Sequence, residues 1–378
     1  MKKLTALAAA FVLTGSLFAM DWGGVIKNNS EVLTPDFSDI SIEQSDALYM
    51  WATQPLSKDG SFYASGEAYY KFKLVNEAGT NTITNIVDVD LLKVSGNIEF
   101  EECTFTFDAG RFLISDSTGV IFSQTCDGTL EKSTLSLAGF SAYLGYTGLL
   151  NSNAVTMLDI NGNAYANKKG VYVLSHEILP FMYSVDFPVL FGNQSLSVQG
   201  AAFIELTQEM NNRCYGNLVL SGPIANSVYY QLATSIGSVN FKNIMNYSAL
   251  DVYIFPMNSM LVNTGIEYAS GNNGPFSAFR GVTSRTAYNS ASYPETSGVL
   301  MAKASAGISL NSMYASAAAK FVMDCADSFG AKGLEFDVNY SYNIFSDLQV
   351  GLDVTAYMDF VTATENNYTA TLRAAMSF

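Results

Sequence analysis

His176 is the only imidazole base in 378 residues, and Glu177 follows it. Nucleophilic hydrolysis needs a serine or an activated water, a base, and an acid that orients the base. His176 would have to carry that role alone, and neither a G-x-S-x-G nucleophile elbow nor a P-loop pattern accompanies it. A structural or lumen-lining histidine fits better, so we assign no catalytic residue and expect no enzyme. The cysteines, Cys103, Cys126, Cys214 and Cys325, form no CxxC pair. With one histidine in the chain they make no zinc or iron–sulfur set, so no metal and no cofactor is expected. Disulfides stay open, but Cys103 beside a short turn and Cys126 on the opposite side are a poor pair.

The richer chemistry lies in charged residues at alternate positions. Glu67, Lys71 and Lys73 share one parity, as do Glu335 and Asp337, and Asp353 and Asp359; Glu205 and Arg373 sit in segments of the same design. In an extended chain such positions lie on one face. Lining a pore, they would set its ion selectivity, because rings of charge attract or repel ions at close quarters. Acidic positions outnumber Lys71, Lys73, Lys93 and Arg373 on that face, which leads us to expect a mild cation preference.

The elements that must position these residues are strands. From Leu334 to Ile344 every even position is apolar or aromatic and every odd one is polar. A helix would mix those faces. The pattern resumes from Leu348 to Phe360, and again from Tyr368 to Phe378, where Ala370, Leu372, Ala374 and Met376 oppose Thr369, Thr371, Arg373 and Ser377. Earlier copies run through Phe62, Ala64, Ala68, Tyr70, Phe72 and Leu74, and through Leu196, Val198, Ala202, Ile204 and Leu206. A soluble sandwich turns its apolar face inward and seldom carries a charged second face on strand after strand. A barrel between lipid and a watery lumen inverts that order. The phase slips between Val87-Val89-Leu91 and Leu92-Val94-Ile98, which predicts a bulge.

Composition agrees. Charged residues make up only 14% of the chain against 22 Tyr and 25 Phe, a balance suited to lipid-facing strands. No run of about 18 apolar residues occurs after the first 19, which disfavours helical membrane spans. A formal charge of −15 disfavours nucleic-acid binding. The opening residues, with Lys2 and Lys3 before the apolar Leu4 to Leu13 and Ala19, have the form of a cleavable secretory signal, so residues 1–19 are expected to be removed and 20–378 to form one domain.

Short connections at 101–103, 151–153, 192–194, 256–259, 310–312 and 345–347 alternate with longer polar stretches at 115–131, 161–170, 208–213, 271–297, 324–332 and 362–367. The expected fold is therefore an all-β transmembrane antiparallel barrel of about 16 strands, within about 14 to 18, rising to 18 if 22–28 and 155–160 both pair. Residues 271–297, rich in Gly, Asn and Ser, are expected to form a flexible external loop.

The signal, the alternating strands and the terminal Tyr368…Met376-Ser377-Phe378 strand resemble the porin-like outer-membrane proteins of diderm bacteria. That resemblance implies a bacterial outer-membrane location among lipids. Tyr368 and Phe378 would serve as the insertion signal for the barrel-assembly machinery, and a homotrimer is allowed. A second stretch, Asp108-Ala109-Gly110-Arg111-Phe112 followed by Ser115 to Phe122, looks like the porin strand whose Gly-Arg pair leads into a loop that narrows the pore. On that analogy Arg111 faces the lumen with Asp116 and Asp127 nearby; a rim anchor or a structural ion pair is the other reading of Arg111. The implied function is passive diffusion of small hydrophilic solutes. The alternative is a structural or adhesive barrel whose loop 271–297 binds partners.

Overall fold

The structure, a computed structural model, describes residues 20–34, 40–77, 79–148, 150–151, 157–159, 168–169, 172–174, 176–206, 211–272, 274–283, 297–326, 329–362 and 366–378. The expected signal, 1–19, lies outside them.

Alternating sequence becomes long antiparallel strands. The first seven are β1 (Asp21–Thr34), β2 (Ser41–Pro55), β3 (Phe62–Glu77), β4 (Thr80–Glu99), β5 (Cys103–Ser115), β6 (Ser123–Leu135) and β7 (Gly139–Tyr146). Three short strands follow, β8 (Leu150–Asn151), β9 (Lys168–Lys169) and β10 (Tyr172–Leu174), and pair only with one another. The chain then runs through β11 (Ile178–Phe187), β12 (Ser195–Glu205), β13 (Arg213–Ala225), β14 (Val228–Val239), β15 (Asn243–Met257) and β16 (Met260–Ala269). It ends with β17 (Val299–Leu310), β18 (Met313–Asp324), β19 (Gly330–Asn343), β20 (Leu348–Asp359) and β21 (Asn367–Ser377).

Eighteen of these strands, β1 to β7 and β11 to β21, form one sheet in which each pairs with its sequence neighbours, β7 with β11, and β21 with β1. The sheet is a closed antiparallel barrel. Its strand number is the upper end of the expected range: 22–28 does pair, within β1, whereas the described part of 155–160 makes only an isolated bridge, Met157 to Thr283.

Which face is outside is decided by exposure. In β19, Phe336, Val338, Tyr340 and Tyr342 are 43%, 48%, 38% and 42% exposed, while Glu335, just before them, is 1% exposed. Apolar residues facing out and polar ones facing in is the inversion that a lipid-spanning barrel requires. The bulge falls where the phase slips: Glu67 pairs with Leu91 and Ala68 with Val89, leaving Asp90 as the extra residue. Turns use residues that tolerate a left-handed backbone, as at Asn311 (φ 50) between β17 and β18. In the β2–β3 turn, Ser57 and Ser61 donate to Asp59 Oδ1, and these hydrogen bonds hold its carboxyl at about 2, well below the usual value.

Closure rests on the last residue. Phe378 and Gly24 exchange both backbone hydrogen bonds at 3.0 Å, and β21 pairs with β1 from Val25–Ser377 to Thr34–Tyr368. The Phe378 ring lies over Gly24 on the outer face, where an added Cβ would come within 2.5 Å of it. Tyr368 stands ten residues earlier on the same outer row. At a rise of about 3.4 Å and a tilt near 40°, the two aromatics are about 26 Å apart along the barrel axis, close to the height of an apolar band. Phe378→Ala is expected to cost about 1–2 kcal/mol of barrel stability, from the lost ring contact. The check is the midpoint of heat-induced unfolding followed by gel mobility.

Candidate functional site: the lumen and its mouth

Inward residues of β15 to β21 form a ladder of opposite charges. Lys303 Nζ lies 3.1 Å from Asp251 Oδ1 and also pairs with Glu267. Its cross-strand neighbour Lys320 lies 2.7 Å from Glu335 Oε1 and 2.9 Å from Asp337 Oδ2. Each lysine is thus held between two carboxylates. Arg373 Nε is 2.5 Å from Asp353 Oδ2, and Asn339 donates to the same carboxylate. Thr355 donates to Asp337 at 2.9 Å. Between these groups the wall opens into a recess of about 370 Å³ bordered by Ser305, Tyr314, Ser316, Asp337, Asn339 and Asp353.

The ladder continues on β1 to β5. Lys73 pairs with Glu43 at 2.6 Å and Lys93 with Asp108 at 2.8 Å. Lys27 sits 4.4 Å over the Tyr49 ring, which stacks on Tyr69 at 5.1 Å. Glu67 shares the inward row of Trp51 and Leu91, and Lys71 that of Ala47 and Ile86. Paired charges in a watery interior lose little hydration, and where one lysine meets two carboxylates, as at Lys303 and Lys320, an excess negative charge remains to meet a solute.

The mouth is narrower than the barrel because three connections fold into it. Val120, Ile121 and Phe122, between β5 and β6, are fully buried, as are Phe279 and Val282 between β16 and β17. Phe122 meets Phe203 of β12 at 5.2 Å, and Phe279 meets Tyr247 of β15 at 5.7 Å. Phe203 stands four strands round from β5, and the β16–β17 connection reaches the β5–β6 connection, which places both loops inside the barrel. Backbone hydrogen bonds join them: Val282 N–H donates to Ile121 O at 2.6 Å, and Leu158 N–H to Val282 O at 2.9 Å. From the wall, Arg213 Nη1 donates to Gly281 O at 2.9 Å and Tyr215 to Arg280 O at 2.6 Å. Of the expected external loop 271–297, the described residues 274–283 therefore form part of this inward plug.

The candidate residues separate into three groups. Glu67, Lys71, Lys73, Glu335, Asp337, Asp353 and Arg373 lie on inward rows, as their parity predicts. Asp116, Glu205 and Asp359 are buried organisers of connections. Asp116 accepts from the N–H groups of Thr118, Gly119, Ile121 and Phe122 at 2.8–3.1 Å. Glu205 holds His176 Nε2 at 2.7 Å, and Asp359 holds Lys332 at 3.0 Å and accepts from Val361 and Thr362 N–H.

Arg111 differs from the lumen-facing expectation. It pairs with Leu92, which is 50% exposed on the outer face, and its guanidinium lies 3.3 Å from the cross-strand Asp127. Phe105, Phe107, Ala109 and Leu113 are in phase with it, so the parity of β5 itself points Arg111 outward. Lys303, Lys320, Asp251 and Glu267 escaped sequence reading. Their strands carry inward Tyr247, Ala249, Met301 and Val322 against the plug, and that packing erases the polar–apolar contrast.

Asp116→Ala would take the carboxylate acceptor from four N–H groups, those of Ile121 and Phe122 buried, at an expected cost of about 2–4 kcal/mol. Single-channel recordings should show a larger and noisier conductance, with a lower unfolding midpoint.

No family model matches this chain, and no curated protein matches it. Solved structures do. It is similar to the OccK11 (OpdR) structure of Pseudomonas aeruginosa at 10% identity, over 95% of this chain and 96% of that one, with a TM-score of 0.65. For the outer membrane protein OprD of Pseudomonas aeruginosa the identity is 12%, the coverage 96% and 94%, and the TM-score 0.62. For OpdQ of the same organism they are 12%, 95% and 98%, and 0.62. At such identities the likeness concerns the fold, and this chain has the porin-like closed barrel of those proteins along nearly its whole length.

Proposed function

We propose that this protein is an outer-membrane channel through which small hydrophilic solutes diffuse passively, with a mild preference for cations. The observation that carries this reading is the charged inward ladder, in which Lys303 and Lys320 are each flanked by two carboxylates. The paired acids outnumber the bases there, so the potential along the wall favours positive solutes. The inward plug supports a solute filter at the mouth, since an aqueous barrel of eighteen strands is otherwise wide. The likeness to OprD supports the location, with delivery by the cleavable signal, assembly from the β21 strand and outer-membrane lipids around it. A homotrimer belongs to the same reading.

Reconstituted in a planar bilayer, the protein is expected to give stepwise currents and a reversal potential of the cation-selective sign in a salt gradient. Asp337→Asn combined with Asp353→Asn should move the cation-to-anion permeability ratio toward unity, by about twofold if each acid contributes a modest attraction. Anion selectivity in the unsubstituted protein would overturn the charge reading, and absence of current would overturn the channel.

A further inference from the structure

We propose that the inner wall at the end opposite the plug carries a binding subsite for a neutral pyranose sugar, with the rings of Tyr229, Tyr253 and Phe255 as its stacking surface. The inference rests on the channel reading, which brings dissolved solutes past this wall.

Parity places these rings inside the barrel. Tyr229 of β14 pairs with Tyr253 of β15, in phase with the inward pairs Gln231–Asp251, Ala233–Ala249 and Ser235–Tyr247. Phe255 donates its backbone N–H to Ser227 O at 2.8 Å, and its ring meets the Tyr229 ring edge to face at 5.7 Å and 88°. The three are therefore no part of an outward aromatic girdle. Tyr230 and Ile254, the neighbours of opposite parity, hold the lipid side.

Yet Tyr229 and Phe255 are 41% and 40% exposed. Nearer the mouth, inward Tyr247 and Met301 are covered by the plug. That cover does not extend here. Tyr229 stands beside the β13–β14 turn, ten residues before the end of β14 at Val239, or about 34 Å of strand away from the mouth. Aromatic faces left open in a watery lumen carry a cost that neither lipid nor plug removes, and a solute with an apolar face removes it.

The rings border a recess of about 620 Å³ whose other walls are Asn226 and Ser227 of one turn and Asn258 of the next. Its size suits a small ligand, and aromatic surface with a few polar groups is the composition of such sites. Among the described residues, no charged side chain borders it. Asp251, the next inward acid along β15, is held by Lys303 at 3.1 Å and by Asn263 at 3.2 Å. A cation is thus offered no countercharge, and an anion no base. The lining instead matches a neutral body with one apolar face and a rim of hydroxyls. A pyranose has that form. Its axial C–H bonds present partial positive charge to the negative face of an aromatic ring, and its hydroxyls donate and accept, as do the amides of Asn226 and Asn258. The edge-to-face pair serves this end, because it covers only one face of one ring.

The test uses the full refolded chain in a detergent without a sugar headgroup, with maltose as the probe and saturation transfer from protein to sugar protons as the NMR readout. Maltose is expected to bind in the millimolar range, with the strongest transfer to the C–H protons of one ring face. Tyr229→Ala combined with Phe255→Ala is expected to weaken binding about tenfold, whereas Tyr229→Phe, which keeps the ring, retains it. Phe255→Leu keeps apolar bulk without a ring face, and it reads the loss where the double variant does not fold, as judged by heat-modifiable gel mobility. No transfer to maltose from a protein that conducts overturns the proposal. So does unchanged binding in a folded variant that lacks the rings, and so does tighter binding of choline than of maltose. Maltose bound to a protein that carries no current would sink the channel reading alone.

Discussion

The constraint on which the rest of the structure depends is closure: no unpaired backbone edge can face hydrocarbon, so the first strand must find the last. That requirement is met by ten consecutive residue pairs between β1 and β21 and by the two hydrogen bonds between Gly24 and Phe378. It explains residues that look unrelated in the sequence. Gly24 is bare because the Phe378 ring occupies the space of a side chain. Phe378 ends the chain on the outer row because a phase shift by one residue would turn its ring into the lumen and take Arg373 away from Asp353. Seam and inner charge pair are consequences of one register.

Inside, water replaces lipid as the solvent, and the side chains change role within a single strand. Toward the mouth, Tyr247 and Ala249 of β15 pack against loop residues, whereas Asp251, two positions on, meets Lys303. The plug is not held by apolar contact alone. Asp116 gathers the N–H groups of its own loop, and the wall residues Arg213 and Tyr215 bind carbonyls of the opposite loop. Irregular backbone inside a barrel needs such partners, because each unsatisfied group there costs as much as a lost hydrogen bond.

Much of this was legible in the sequence, for a physical reason that also marks where legibility ends. Alternation reveals a strand when its two faces meet different solvents, as in β19, β20 and β21, and the extra residue at Asp90 showed as a slip in phase. It fails where both faces are alike. β6 falls mostly inside a stretch, 115–131, that reads as a polar loop, because Asp127, Thr129 and Glu131 point outward while Lys132 and Thr134 point inward. On β15 and β17 the opposite happens: apolar residues on both faces conceal Asp251 and Lys303. Arg111 shows a third failure. The Gly-Arg resemblance points it into the lumen, whereas the parity of Phe105, Phe107 and Leu113 places it outside, in the structural ion pair that is the other reading of this residue.

Each break in alternation therefore carries information about a third environment besides lipid and water. Inward apolar residues announce a covering partner, at the mouth the plug, before any loop is traced, because water would otherwise meet them. Outward polar residues announce something other than lipid by the same reasoning. Lipid-facing threonine is cheap, since its hydroxyl can turn back onto the strand, whereas acidic side chains such as Asp46 and Glu131 cost more there. The Arg111–Asp127 pair fits the same account. It neutralises itself across β5 and β6, so it can border lipid headgroups at lower cost than an acid that lacks a countercharge.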